Sequence, residues 1–409
     1  MFAKIENEMY NDCDFSWQYS QTIYLINSER TLMPKECVLC GLPITSKNDS
    51  KEHLIPNAIG GRKKVAGFIC KNCNSKGGQD WDSELARQLN PLSVLFGISR
   101  ERGEVPAHTI ETANGKQLRL NADGSMGLTK PKYDVTPHKS GISINIHARS
   151  NKEAKQMLTG MKQKFPHFDI DEIMNNAQSQ SYYPDGMINL KLPSFGGHMA
   201  GRSIVKTCLA LAVESGVNPS SCNISKDYVT KPNGKACFDY YYERDLVVNR
   251  TEGTIFHCVS VFGNPDTKQL IGYVEYYSVW RMIVCLSDKY EGARMARTYA
   301  LNPVSGEEIK MEVDLSSLAP GDIAALFRRE RMSYDSVKKA FEKVMPVAIK
   351  QSQQKELNRV VNEAVQYAFK KCGAKKGEML TEEYIKKFTP LYMEKITPFI
   401  IHQLKIPKK

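Results

Sequence analysis

Apolar and polar positions follow different rhythms in successive stretches of this 409-residue chain. One short strand is expected at 22–26, inside an N-terminal segment of residues 1–36. Residues 80–89 read as a helix because Trp81, Leu85 and Leu89 recur every four positions; Asp80 or Asp82 can cap it, and Asn90-Pro91 should stop it. From Val105 to Arg149 the pattern is strand and turn, with hairpin signals at Asn114-Gly115 and Asp123-Gly124 and an alternating run at 117–120. A helix is expected over 150–165, ended by Pro166, and a stronger one over 198–216. In the latter, Ile204, Cys208 and Leu211 join Val205, Leu209 and Ala212 in a wide apolar face, with Gly216 at the C-cap. Strands are expected at 254–262, 270–279, 282–286 and 309–313. Beyond Pro320 the chain turns helical, and Leu357, Val361, Ala364 and Ala368 lie on one seam. The pattern predicts an α+β protein: a cysteine-rich unit over 37–95, an antiparallel-sheet domain over 96–320 and a helical region over 321–409.

Charge sharpens this picture. Basic residues exceed acidic ones by 11. Most of that surplus lies in 321–409, where nineteen basic residues face ten acidic ones. A basic C-terminal quarter points to a polyanion, nucleic acid before an acidic membrane surface; a solvated lysine-rich helical face is the plainer alternative. A second cluster sets Lys51, Arg62, Lys63, Lys64, Lys71 and Lys76 against Glu52 alone. No apolar run approaches the ~18 residues of a membrane helix, and the N-terminus has no apolar signal core, so a soluble cytoplasmic protein is expected. In a chain this long the eleven cysteines are not needed as staples.

Four of those cysteines form two knuckles, Cys37-x2-Cys40 and Cys70-x2-Cys73. Two such thiolate pairs complete a tetrahedral zinc site, and Gly41 permits the tight backbone after the first pair. A closed four-sulfur site is structural, since no position stays open for substrate. The residues between the knuckles add chemistry. Ser50 to Pro56 reads as a short strand bearing an acid–imidazole pair, Glu52-His53; Gly60-Gly61 begins a turn, and Asn74-Ser75-Lys76-Gly77 follows Cys73. A zinc ion there would clamp a strand–loop–strand to the start of a helix and bring Glu52, His53 and Asn74 together.

This run resembles the HNH endonuclease family in its zinc-bearing ββα-metal form, over about residues 37–90. The resemblance implies that His53 is the general base, that Glu52 binds a catalytic Mg²⁺ or Mn²⁺ ion and that Asn74 is that ion's second ligand. One letter departs: 65–69 holds no middle asparagine, and Asn57 is a substitute the sequence does not favour. The residue types suit the reaction in their own right. Neutral imidazole takes a proton from water near neutral pH, and an oxygen-bound divalent ion neutralises phosphate charge. Arg62, Lys63, Lys64, Lys71 and Lys76 are expected to contact backbone phosphates. His108, His138, His147, His167, His198, His257 and His402 read as packed or surface residues, Cys208 and Cys258 as small buried hydrophobes.

The leading expectation is a metal-dependent endonuclease acting on DNA, with a defence or restriction-type role as analogy alone. Two alternatives stand beside it: a non-catalytic zinc module that binds nucleic acid, and a nuclease silent until its central domain meets a ligand or partner. No membrane partner is expected. A homodimer through the C-terminal helices comes second to packing of their seam within the chain.

Overall fold

A computed structural model describes residues 35–139, 141–177, 183, 188–327, 334–375 and 377–405; the strand expected at 22–26 lies outside them. Strand β1 (Glu52–His53) pairs antiparallel with β2 (Lys64–Val65), Glu52 opposite Val65 and His53 opposite Lys64. The link between them folds back so closely that a Cβ on Gly61 would lie 1.7 Å from the Ile55 carbonyl oxygen, which only glycine avoids. Helix α1 (Lys71–Gly77) begins within the second knuckle, a wide π turn (Gly78–Asp82) extends it, and α2 (Ser83–Phe96) continues without a break. The helix expected at 80–89 is thus longer at both ends. Asp82 has helical backbone and caps nothing, because the preceding turns already satisfy the N–H groups that a cap would serve. Pro91 loses one intrahelical bond but is buried in the core, and packing carries the helix on to Gly97.

Strands β3 (His108–Thr112), β4 (Gln117–Leu120) and β5 (Met126–Leu128) form a meander, and β6 (Lys132–His138) pairs with β7 (Gly141–His147) as a separate ribbon. Helix α3 (Asn151–Lys162) starts where the Ser150 hydroxyl accepts from the Glu153 N–H, and α4 (Ile170–Asn175) where Asp169 accepts from Asp171 and Glu172. Strand β8 (Ile188–Asn189) extends the meander beside β3. Helix α5 (Gly197–Glu214) is buried on every side from Ala200 to Ala212, the mark of a helix inside a core. Helix α6 (Asn223–Thr230) packs beside it.

The main sheet joins β9 (Phe238–Tyr240), β10 (His257–Asn264), β11 (Gln269–Tyr276), β12 (Trp280–Ser287) and β13 (Met295–Leu301), all antiparallel, in the order β13-β10-β11-β12-β9. Val259, Val274 and Val284 join the core around α5, whereas Cys258, Tyr273 and Ile283 join a second core with Leu246, Leu315 and Ile323. Burial on both faces is why these strands read as apolar runs rather than as clean alternation. The strand expected at 309–313 is absent: only single bridges, Val247 to Val313 and Leu301 to Glu308, form there. The edge on this side is β13 instead, whose partly exposed first four residues gave no strand signal.

Helices α7 (Pro320–Leu326), α8 (Tyr334–Cys372) and α9 (Glu382–Lys405) complete the chain. The first half of α8 lies on the main core through Val344 and Ala348, and its second half pairs with α9. Ala364 and Ala368 of the expected seam are fully buried, and Val360 and Ala364 meet Ile396 and Phe399. The C-terminal part of the seam therefore packs within the chain, whereas Leu357 at its start is exposed. One core runs from the cysteine-rich unit through α5 and the main sheet into α8, and Lys35–Lys409 forms one compact unit. No helix among the described residues is long and apolar enough to cross a membrane.

Candidate active site and metal centre

Gly41 adopts φ +72°, so its N–H returns to the Cys37 carbonyl at 2.8 Å and the first knuckle closes. Cys70 sits at the N-cap of α1 and Cys73 in its first turn, which aims both sulfurs at the first pair. All four sulfurs lie within 4.8 Å of one another, and Cys40 Sγ is 3.8 Å from Cys70 Sγ. A tetrahedron with ~2.3 Å zinc–sulfur bonds has edges of about 3.8 Å. The Cys70 N–H also points at Cys37 Sγ, 3.3 Å away, a bond that steadies a thiolate. Burial, aided by the neighbouring sulfurs, pushes the Cys73 thiol up, and a divalent ion would relieve that crowding. The donor set fits a structural zinc ion.

The hairpin and α1 hang on this cluster. Asn74, one turn into α1, directs its amide to the Ser50 hydroxyl, two residues before Glu52. Glu52 and His53 are successive on β1 and have different partners. His53 Nε2 lies 3.0 Å from Glu101 Oε2, which also accepts from Lys64 Nζ at 2.7 Å. The Glu52 carboxylate, 3% exposed, takes Lys206 Nζ at 2.5 Å, and Lys206 reaches Asp82 Oδ2 at 2.7 Å. Thus a cysteine frame, a ββα unit and an acid–imidazole pair occupy one segment. Residues 37–90 match the HNH endonuclease family. No curated protein and no solved structure matches the chain. The match and the cysteine cluster support a nuclease or nucleic-acid-binding role for this HNH segment.

Electrostatics around the HNH acid are unusual. Burial pushes Glu52 up, against the pull of the Lys206 ammonium. Burial alone would lower Lys206, yet Asp82 and Glu52 more than offset it, so the ammonium keeps its proton. Ser203, one turn earlier on α5, donates to the other Asp82 oxygen. The oxygen donors of Glu52 and Asn74 have the chemistry that a Mg²⁺ or Mn²⁺ ion prefers. Glu52 already carries an ammonium on one oxygen, however, so a divalent ion there would share the carboxylate with Lys206 or displace it. His53 is lowered, chiefly by burial with Glu101 opposing, and stays neutral at pH 7.

The five basic residues expected at phosphates have varied surroundings. Lys63 pairs with Glu214 at 3.1 Å and lies over the Tyr299 ring, Lys64 holds Glu101, and Lys71 bonds the Lys47 carbonyl at 2.6 Å. Arg62 packs beside Gly306, and Lys76 is exposed. Asn57, in the loop after β1, accepts from the Glu101 N–H at 2.8 Å and so braces the segment after α2.

Sequence reasoning missed Lys206, Asp82 and Glu101. Lys206 carried a signal, since a lysine amid Ile204, Val205, Cys208 and Leu209 on a buried helix must find carboxylates. Glu101 carried none, because nothing local distinguishes it from any other loop carboxylate. His257 conforms to the packed reading. Its ring is fully buried, accepts from the Tyr277 N–H at 3.1 Å and meets the Ile59 carbonyl at 2.8 Å, tying β10 to the HNH loop.

Proposed function

We propose that this protein is an HNH endonuclease that hydrolyses phosphodiester bonds of DNA. The observation that carries the reading is the ββα segment of the family match, hung on a four-cysteine frame with an acid–imidazole pair on β1. In this reading His53, neutral and partly exposed, takes the proton of the attacking water. Glu52 and Asn74 are the proposed ligands of a Mg²⁺ or Mn²⁺ ion, which when bound would neutralise phosphate charge and steady the departing oxygen. Lys64 and the exposed Lys76, with Arg62, Lys63 and Lys71, would hold the DNA backbone without reading its sequence. The zinc ion would build the site and take no part in the reaction. A cytoplasmic location and a defence or restriction-type role belong to the same proposal, as does a homodimer through the C-terminal helices, which light scattering of the purified protein tests.

The grip of Lys206 on Glu52 favours a second reading. An ammonium on the metal-binding acid is compatible with a non-catalytic zinc module that binds nucleic acid, or with a nuclease silent until a ligand or partner shifts α5. One experiment separates an active nuclease from both of these. Supercoiled plasmid is incubated with Mn²⁺ or Mg²⁺ and either wild type or His53→Ala. The nuclease reading expects nicking that falls at least ~100-fold in the variant, the usual scale for a lost general base. Equal nicking by both removes His53 from the reaction. Salt-sensitive binding without cleavage leaves the binding module standing.

A further inference from the structure

The segment after α2 lies outside the family match, yet it supplies the closest partner of the HNH imidazole. Glu101 is an exposed loop residue whose position is set from two sides. The Asn57 side chain accepts its backbone N–H, and the Ser99 N–H bonds the Pro303 carbonyl at 3.3 Å. Its Oε2 meets His53 Nε2 at 3.0 Å and Lys64 Nζ at 2.7 Å. His53 and Lys64 face each other across β1 and β2, so a single carboxylate oxygen straddles one rung of the hairpin. An ionised carboxylate can only accept. The ring nitrogen facing it must therefore carry the hydrogen, which leaves Nδ1 with the free lone pair.

We propose that Glu101 is the positioning residue for His53, fixing its ring and its Nε2–H tautomer so that Nδ1 is the basic atom. The proposal rests on the nuclease reading for its consequence. Water gives a proton to Nδ1 and its oxygen bonds to phosphorus; the P–O3′ bond breaks, and the 3′-oxygen leaves with the electron pair and is protonated from solvent. Lys64 neutralises the carboxylate and limits how far it can move. The same contacts admit an opposite role, with Glu101 occupying the phosphate's place between an imidazole and a lysine, and the two roles predict opposite effects of removing it.

Two readouts on the full chain decide. In the first, histidine is ¹⁵N-labelled and the His53 ring signals are identified by their loss in His53→Ala. At a pH where the ring is neutral, the wild type should show a protonated Nε2 and a bare Nδ1, and Glu101→Ala should show the two tautomers mixed. A wild-type ring protonated at Nδ1 overturns the proposal. In the second, Glu101→Ala should lower kcat for DNA cleavage roughly 10- to 100-fold with KM within about twofold, and added formate should restore part of the rate. A variant as fast as the wild type overturns the proposal, and a faster one overturns it and makes Glu101 a plug. Zinc content and melting temperature matching the wild type establish that the variant is folded. If the wild type cleaves nothing, the nuclease reading falls by itself and the tautomer spectrum still decides the role of Glu101.

Discussion

Taking the Lys206 ammonium out of water costs several kcal/mol, and only charge pairing with good geometry offsets it. Glu52 and Asp82 provide that pairing, one from the HNH hairpin and the other from the π turn. The lysine therefore ties α5 to both pieces of the HNH segment. Lys206→Met should cost about 3–5 kcal/mol, because it leaves the buried Glu52 and the partly buried Asp82 carboxylates without a counter-charge. Adding Glu52→Gln and Asp82→Asn to the same chain should recover part of that loss. Urea unfolding of the single and triple variants measures both effects, and a single variant as stable as wild type would mean that solvent reaches the cluster. At this scale residue types were legible in the sequence, but partners were not. Glu52 lies 154 positions from Lys206 and His53 lies 48 from Glu101, and no local pattern encodes such meetings.

At the scale of elements, the two knuckles were readable because their spacing is set by one ion's coordination sphere. The hairpin they hold has strands of only two residues, too short to persist without the sulfur cluster or a neighbour. Cys70→Ser should abolish stoichiometric zinc in elemental analysis and open residues 37–77 to proteolysis, as expected where metal binding is also folding energy. Unchanged proteolysis would mean that packing against α5 and α2 holds the hairpin unaided. Elsewhere, helix 198–216 and the strands at 254–262, 270–279 and 282–286 were found within a few residues of their true bounds. The errors came where tertiary packing overrode a local signal, as when α2 ran through Pro91 and β13 formed from residues with little β character.

Over the whole molecule, His257 of the main sheet reaches the HNH loop through one hydrogen bond, to the Ile59 carbonyl, accepts another from the Tyr277 N–H and stacks edge-on to Tyr277. Tyr277 holds a left-handed backbone, φ +56°, and its hydroxyl bonds Ser93 of α2 at 2.7 Å, so both residues lie on the seam between sheet and HNH segment. Complete burial lowers the His257 pKa from 6.5 to about 4. Between those values the unfolded chain binds a proton that the folded chain refuses. Its contribution is therefore fully present above about pH 6.5 and is lost as the pH falls toward 4, to a limit of roughly 3 kcal/mol. Urea unfolding from pH 7.5 to 4.5 should give a steeper loss for wild type than for His257→Asn. Parallel curves would show that the junction opens to water before the histidine is protonated.

By itself the sequence determined the zinc frame, the ββα segment, the acid–imidazole pair, the helix at 198–216 and three strands of the main sheet. These depend on spacing and periodicity, which act over a few residues. Only the tertiary structure decided that the acid is held by a lysine of α5, that a carboxylate beyond the motif faces the imidazole, and that the first half of α8 shares a core with the HNH segment. Those outcomes come from burial, since a charge or a ring taken from water must find its partner wherever the fold brings one.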